Sequence, residues 1–314
     1  MKYDHDFAEA PLRDEESENL HRRIDVDYNG WWMCMIPRSI AERLGLPLPL
    51  FIKWDDAEYG LPADRAGHPT ASLPGVAIWH MPWSDKDDAT DWQAYFHLRN
   101  RLVVASMYST RAQATGLIAH SMKSMCKHLL SPEYSTVALQ ERAIQDWLAG
   151  PERLFELLPS ALPDVRRQRS EFDDGRVLAS ARQFPLPTTD AVKAERFLKP
   201  PTNPVTKVKT LTEGLVHNLL PAKPQHHERP QLNIAARDAR WFLLSGIDGA
   251  TVATSDGRGV AYRKRNPKTF WLLLSRSVAA HLQLAREWPR LRRQYRNAHA
   301  DLTSLESWGR IFER

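Results

Sequence analysis

Asp55 and Asp56 lie side by side in the run Trp54-Asp55-Asp56-Ala57-Glu58-Tyr59-Gly60, directly after the apolar Leu50-Phe51-Ile52. A second aromatic cluster, Trp79-His80-Met81-Pro82-Trp83, follows shortly after. Two adjacent carboxylates ringed by indoles and joined by one imidazole suit sugar-transfer chemistry. One carboxylate can take a proton from a hydroxyl. The flat indole faces can stack on the C–H faces of sugar rings, and the histidine can hold a metal if carboxylates join it. A plainer reading stands beside this one. Asp before Ala-Glu-Tyr is good helix-capping chemistry, with the second carboxylate simply solvated.

The aromatic setting shifts that balance. Six of the 11 tryptophans fall between positions 31 and 92: Trp31, Trp32, Trp54, Trp79, Trp83 and Trp92. Trp92 has the spacing of a core residue on a helix. For the Trp31-Trp32 pair, stacking on a ligand and packing in a core are equally good readings, since neighbours on a strand face opposite ways. His97 reads as structural by its helix face. Asp25-Val26-Asp27 has the form of a metal-holding aspartate pair, a tripeptide that arises easily by chance. Arg286, Arg290, Arg292, Arg293 and Arg296 read as a solvated helix face, with a membrane surface as the functional option.

Positioning these residues requires ordered elements. Trp31 to Ile36 is compatible with a strand. Pro37 and Ser39 open a short helix that Gly45 stops. Leu48 to Trp54 reads as the next strand, placing Asp55-Asp56 at its carboxyl end, where open α/β sheets bind ligands. Ala71 to Trp79 reads as a third strand. Helical periodicity then predicts helices over about 87–107, 112–130 and 136–148, with interrupted helix over 152–198. A polar linker runs from Pro221 to Pro230. Residues 239–265 read as a small β-meander turning at Gly246-Ile247-Asp248-Gly249 and Ser255-Asp256-Gly257. The tail, 267–312, is helical with a joint expected at Pro289.

The chain of 314 residues can bury more than one core. Its two cysteines, Cys34 and Cys126, are in no metal spacing and fit a reducing cytoplasm. The charge is uneven. Residues 1–100 hold 10 Lys+Arg against 18 Asp+Glu, and residues 101–314 hold 33 against 20. The basic half reads as solvated surface, or as a face toward an anionic membrane, with nucleic acid the disfavoured partner.

Four stretches carry a resemblance: Tyr28-Asn29-Gly30-Trp31-Trp32-Met33-Cys34, Phe51 to Gly60, Ile78-Trp79-His80-Met81, and Asp91-Trp92-Gln93-Ala94-Tyr95-Phe96-His97-Leu98-Arg99-Asn100-Arg101. Together they resemble the polymerising galactofuranosyltransferases of cell-wall galactan synthesis, most strongly over residues 25–105. The resemblance implies an inverting GT-A glycosyltransferase using UDP-galactofuranose and a divalent metal, usually Mn2+. A growing lipid-linked galactan at the cytoplasmic membrane face would be the acceptor. On that pattern Asp56 is the catalytic base, and Asp55 is its acceptor-side neighbour. His80 is a metal ligand, and Trp31, Trp32, Trp54, Trp83 and His97 match acceptor-binding positions.

The expected fold is therefore α/β, the C-terminal portion of a GT-A sheet, followed by a mainly helical region with a small β-meander. The expected division is 1–108 for the GT-A part, 109–220 for a helical domain, and 221–314 for the meander plus helices. In the family the metal-binding aspartates lie far upstream of the base, whereas 54 residues precede Asp55 here. Asp25-Val26-Asp27 belongs to the Trp31-Trp32 block and is not that pair. The expectation is a part of such an enzyme that carries the acceptor base and one metal ligand without the donor-binding half, and is inactive alone. A separately encoded N-terminal half, self-association and peripheral membrane contact are the partners this implies. The alternatives are a non-catalytic acceptor-binding or assembly subunit and a basic membrane-surface binder.

Overall fold

The computed structural model describes residues 15–16, 21–73, 78, 80–81, 86–188, 200–257 and 259–312. The fold is mixed α/β. Strand β1 (Ile24–Val26) pairs antiparallel with β2 (Thr70–Ser72), and helices α1 (Arg38–Leu44) and α2 (Asp55–Arg65) lie between them in sequence. Helices α3 (Gln93–Tyr108), α4 (Thr115–Leu130), α5 (Tyr134–Leu148) and α6 (Arg153–Ser170) follow. Then come β3 (Val177–Leu178), α7 (Pro204–His217), α8 (Gln225–Glu228), β4 (Leu232–Ile234), α9 (Trp241–Leu244), β5 (Gly249–Ala253) and β6 (Val260–Lys264). The chain ends with α10 (Pro267–Asn297), α11 (His299–Leu302) and α12 (Leu305–Phe312).

The main core lies where α3, α5 and α10 meet. Trp147 of α5 stacks on Trp288 and on Tyr295 of α10, with centroids 5.4 and 5.9 Å away. Its indole N–H donates to Ser106 Oγ of α3 at 3.1 Å, and Tyr295 Oη donates to the Trp147 carbonyl at 3.0 Å. Burial of these large faces accounts for a continuous α10. Pro289 sits inside that helix rather than at a joint. An interior proline costs about 3 kcal/mol. Burial of Trp288, Leu291 and Tyr295 on the same face offsets it.

The basic cluster of α10 has a structural use. Arg296 donates to the carbonyls of Ser106, Met107 and Ser109, and Arg292 also donates to the Ser109 carbonyl. These are end carbonyls of α3, which a cation satisfies well. Arg286 and Arg290 pair with Glu287.

The expected meander is part of a mixed sheet of order β3-β6-β5-β4, in which β4 runs parallel to β5. Residues 241–244 form a helical turn instead of a strand. Arg265, just after β6, is buried and holds the sheet to the end of α7. It donates to Asp248 Oδ1 at 2.6 Å and to the carbonyls of His217, Leu220 and Pro221. The β5–β6 turn reaches the loop before α3, where Ser255 donates to Asp87 through its backbone N–H and its hydroxyl, at 2.9 and 2.8 Å.

Three expected strands differ. Residues 31–36 are irregular and place exposed Trp32, Met33 and Met35 at the surface. Residues 48–54 form a loop, because Pro47 and Pro49 lack N–H donors and side chains of α3 take the loop carbonyls. Of Ala71–Trp79, Ala71 and Ser72 lie in β2 and Leu73 is irregular, whereas 74–77 and Trp79 lie outside the described residues. The helix expected from 87 starts at Gln93, after turns that Asp87 and Asp91 stabilise.

Candidate active site

Asp55 and Asp56 are the first two residues of α2, and Trp54 is its N-cap without a side-chain cap bond. With Glu58 they put three carboxylates in the first turn, where the helix dipole favours negative charge. Asp56 Oδ1 accepts from the Ala57 N–H at 2.7 Å. The path into the helix is strained. Phe51, Lys53 and Trp54 have φ of 74°, 68° and 69°. Each left-handed non-glycine residue costs on the order of 1–2 kcal/mol. Such strain persists only where neighbours over-determine it.

Those neighbours come from α3. Asn100 Nδ2 donates to the carbonyls of Leu50, Ile52 and Lys53 at 3.1, 2.7 and 2.9 Å. Arg99 Nη2 donates to the Leu50 carbonyl at 2.9 Å. Both side chains are buried, at 1% and 0% exposure. The Lys53 ammonium pairs with Asp88, which Gln93 also contacts at 2.6 Å. Neither Arg99 nor Asn100 is among the site residues expected from the sequence. An arginine on the same face as Tyr95, Phe96, Leu102 and Val103 was the available signal of a buried polar anchor.

Asp56 opens onto a cavity of about 690 Å³ between α2 and the segment 29–37. Trp31, Met33, Met35, Ile36 and Tyr59 line it, giving a mainly apolar wall around one carboxylate. Trp31 meets Tyr59 edge-on at 5.7 Å. His68 also lines the cavity, and its Nε2 is buried with no hydrogen-bond partner among the described residues. The two aspartates stand in different surroundings. Burial chiefly pushes the Asp55 carboxyl up, and the Asp56 charge adds to it. The N–H groups of Asp55 and Asp56 and the Lys53 ammonium work the other way.

The remaining expected residues are spread around this centre. Trp32 is half-exposed and stacks on His80, centroids 3.8 Å apart. Trp54 packs partly against the main core, with the Arg101 guanidinium 6.0 Å from its ring centroid. His97 is half-buried near Lys53 and Asp88. Burial chiefly lowers its basicity, Lys53 and Arg101 lower it further, and Asp88 opposes them. None of Trp32, Trp54, His80 and His97 lines the Asp56 cavity. Trp83 and Trp79 lie outside the described residues. Asp25 pairs with Arg23 at 2.7 Å.

The fit to a metal is poor. His80 Nε2 accepts from the Lys86 ammonium at 3.0 Å, so its lone pair faces a cation. Among the described residues no three His, Cys, Asp or Glu side chains converge as a metal site.

Beneath the helix, Glu58 is 2% exposed and accepts from the Tyr108 hydroxyl. Tyr108 Oη lies 3.4 Å from His299 Nε2. Burial pushes the Glu58 carboxyl up to about 7, against the Tyr108 hydrogen bond.

Comparison with known proteins adds a second line of observation. Residues 117–314 match the family model described as galactofuranosyltransferase-2, domain 3. Residues 1–105 match the one described as glycosyltransferase like family 2. The chain is 55% identical over 311 residues to galactofuranosyltransferase GlfT2 of Mycobacterium tuberculosis, covering 98% of this chain and 48% of that protein. It is 54% identical over 310 residues to galactofuranosyltransferase GlfT2 of Mycolicibacterium smegmatis, covering 98% of this chain and 47% of that protein. The chain thus spans about half the length of the curated relatives it matches.

Proposed function

This chain belongs to the galactofuranosyltransferase-2 family, and from that premise we propose that it carries the acceptor side of a galactofuranosyl-transfer site. The observation that carries the reading is Asp56 on the wall of the apolar cavity it shares with Trp31 and Tyr59. An acceptor sugar seated there presents a hydroxyl to the Asp56 carboxylate. The carboxylate takes the hydroxyl proton as the oxygen attacks the anomeric carbon of UDP-galactofuranose. The bond to UDP breaks, and the configuration at that carbon inverts.

Trp31 supplies an apolar face for the acceptor ring. Asp55, Trp32, Trp54, Trp83 and His97 extend the acceptor path in this proposal. His80 is one donor to a divalent cation, Mn2+ in the proposal, only if carboxylates outside the described set join it and displace Lys86. A lipid-linked galactan acceptor, self-association and a cytoplasmic location with peripheral contact to an anionic membrane belong to the same proposal. The excess of 33 Lys+Arg over 20 Asp+Glu after residue 100 favours the membrane contact. Among the described residues no helix is long and apolar enough to cross a membrane.

The test has a binding arm and a transfer arm. A galactofuranose oligosaccharide is titrated into the chain while tryptophan fluorescence is followed. Transfer from UDP-galactofuranose is measured with the chain alone and with the chain joined to the part of the M. tuberculosis relative that the match leaves uncovered. Saturable quenching, with turnover in the joined protein that Asp56→Asn abolishes, is the expected result. Turnover indifferent to Asp56→Asn would remove Asp56 as the base. Binding without transfer in either form would leave an acceptor-binding subunit.

A further inference from the structure

We propose that Asn100, its amide oriented by Arg99, is a positioning residue for transfer: it holds residues 50–53 in the left-handed path from which Asp55 and Asp56 enter α2. The proposal rests on the reading of Asp56 as the acceptor base.

The loop has little of its own to hold it. Its backbone bonds are tight-turn contacts, Leu50 N–H to the Leu48 carbonyl at 2.7 Å and Ile52 N–H to the Leu50 carbonyl at 3.1 Å. The carbonyls of Leu50, Ile52 and Lys53 converge instead on one nitrogen, Asn100 Nδ2. That convergence is possible only if the amide presents its NH2 end to the loop. Arg99 makes the choice, since its Nε–H donates to Asn100 Oδ1 at 2.8 Å. A second arm of the same guanidinium reaches the Leu50 carbonyl.

Arg99 is itself fixed. Its guanidinium lies 5.2 and 5.1 Å from the ring centroids of Tyr95 and Phe96. The Tyr95 hydroxyl, 3.4 Å from Arg99 Nη1, donates to Asp146 of α5 at 2.7 Å. A line of contacts therefore runs from the main core through Arg99 and Asn100 to the strained loop. Without the amide, φ at Phe51, Lys53 and Trp54 is free to return toward the extended basin. The first turn of α2 then shifts, and with it the Asp56 carboxylate relative to the cavity. Small displacements of this kind lower the rate of the chemical step more than they weaken binding.

The variants are Asn100→Asp, which sets a carboxylate oxygen against three carbonyls, and Arg99→Lys, which keeps the charge and loses the fork. They are made in the joined protein and read by kcat, acceptor KM, thermal stability and amide hydrogen exchange. The expected outcome is a fall in kcat of about tenfold or more, with acceptor KM changed by less than about threefold. Exchange should quicken over 51–57 while α5 and α10 keep their protection. Adding Phe51→Gly to Asn100→Asp should recover part of the lost kcat, because glycine takes the left-handed conformation without a Cβ clash. If Asn100→Asp does not fold, Arg99→Lys carries the test.

A kcat per folded molecule within about twofold of the parent overturns the proposal. So does a loss that tracks global unfolding and is not rescued at Phe51. Asp56→Asn is measured in parallel. If it is inactive while the Asn100 and Arg99 variants turn over normally, positioning alone has failed. If it turns over normally, the base reading and this proposal fall together.

Discussion

The indole of Trp32 stacks on the imidazole of His80, ring centroids 3.8 Å apart and planes 28° from parallel. The stack fixes the imidazole and leaves its Nε2 to the Lys86 ammonium at 3.0 Å. A divalent cation at that nitrogen must displace a positive charge at close range. The chain on its own should therefore bind Mn2+ weakly. Lys86→Ala should raise the affinity by about tenfold or more, as counted by the free-ion signal in electron paramagnetic resonance. Equal affinity in both proteins would mean that His80 is not the nitrogen being titrated.

Buried Glu58 makes the stability of the fold depend on pH. Its folded value of about 7 lies above the ordinary 4.5, chiefly through burial. The native state therefore binds this proton more tightly than the unfolded chain. The stabilisation is complete below about pH 4.5 and is lost as pH rises through about 7, amounting to roughly 3–4 kcal/mol. Burial lowers the basicity of His299, which contributes with the opposite sign as pH falls. Subtracting the stability of Glu58→Gln from that of the parent, by urea unfolding between pH 4.5 and 7.5, isolates the Glu58 part. A difference that does not change over this range would contradict it.

Arg265 and Asp248 form a buried pair that carries more than its own contact. Burial opposes the Asp248 charge, yet the Lys223 N–H, Arg265 and His217 hold its carboxyl below the ordinary range. Removing Arg265 leaves that carboxylate and three carbonyls at the end of α7 without their cation. Arg265→Met should cost about 3–5 kcal/mol and speed amide exchange first in α7 and β4–β6. The urea midpoint and the exchange map check this. A loss under about 1 kcal/mol would place the burden on His217 instead.

What the sequence disclosed and what it hid divide by the range of the interactions. The bounds of α1 could be read from Pro37 and Gly45, and α4, α5 and the long C-terminal helix from periodic apolar stripes, all local signals. The residues of the candidate site were legible as types: carboxylates, indoles and a histidine in short words. Their arrangement was not. Residues 48–54 alternate well enough for a strand, but their conformation is imposed by Arg99 and Asn100 from a helix far along the chain. Likewise the α10 arginines look like a solvated face until the end of α3 is seen to need donors. Pro289 looks like a joint until the stack on Trp147 is counted.

Gly60 joins the base helix to the cavity, and its replacement separates packing from function. It lies on α2 and lines the cavity beside Asp56. A Cβ there would sit 2.7 Å from Tyr28 Cβ, 3.3 Å from Tyr28 Cα and 3.4 Å from the Asp27 carbonyl oxygen. Alanine gains about 1 kcal/mol in helix propensity. The clash costs about 1–3 kcal/mol, so net stability should change little. The segment 27–31 must nevertheless move off α2, carrying Trp31 away from Asp56. Gly60→Ala should then weaken oligosaccharide binding by about fivefold or more, with a melting temperature within about 5 °C of the parent. Tryptophan fluorescence titration beside a thermal melt reads both quantities. Unchanged binding would mean that the acceptor does not sit between Trp31 and α2.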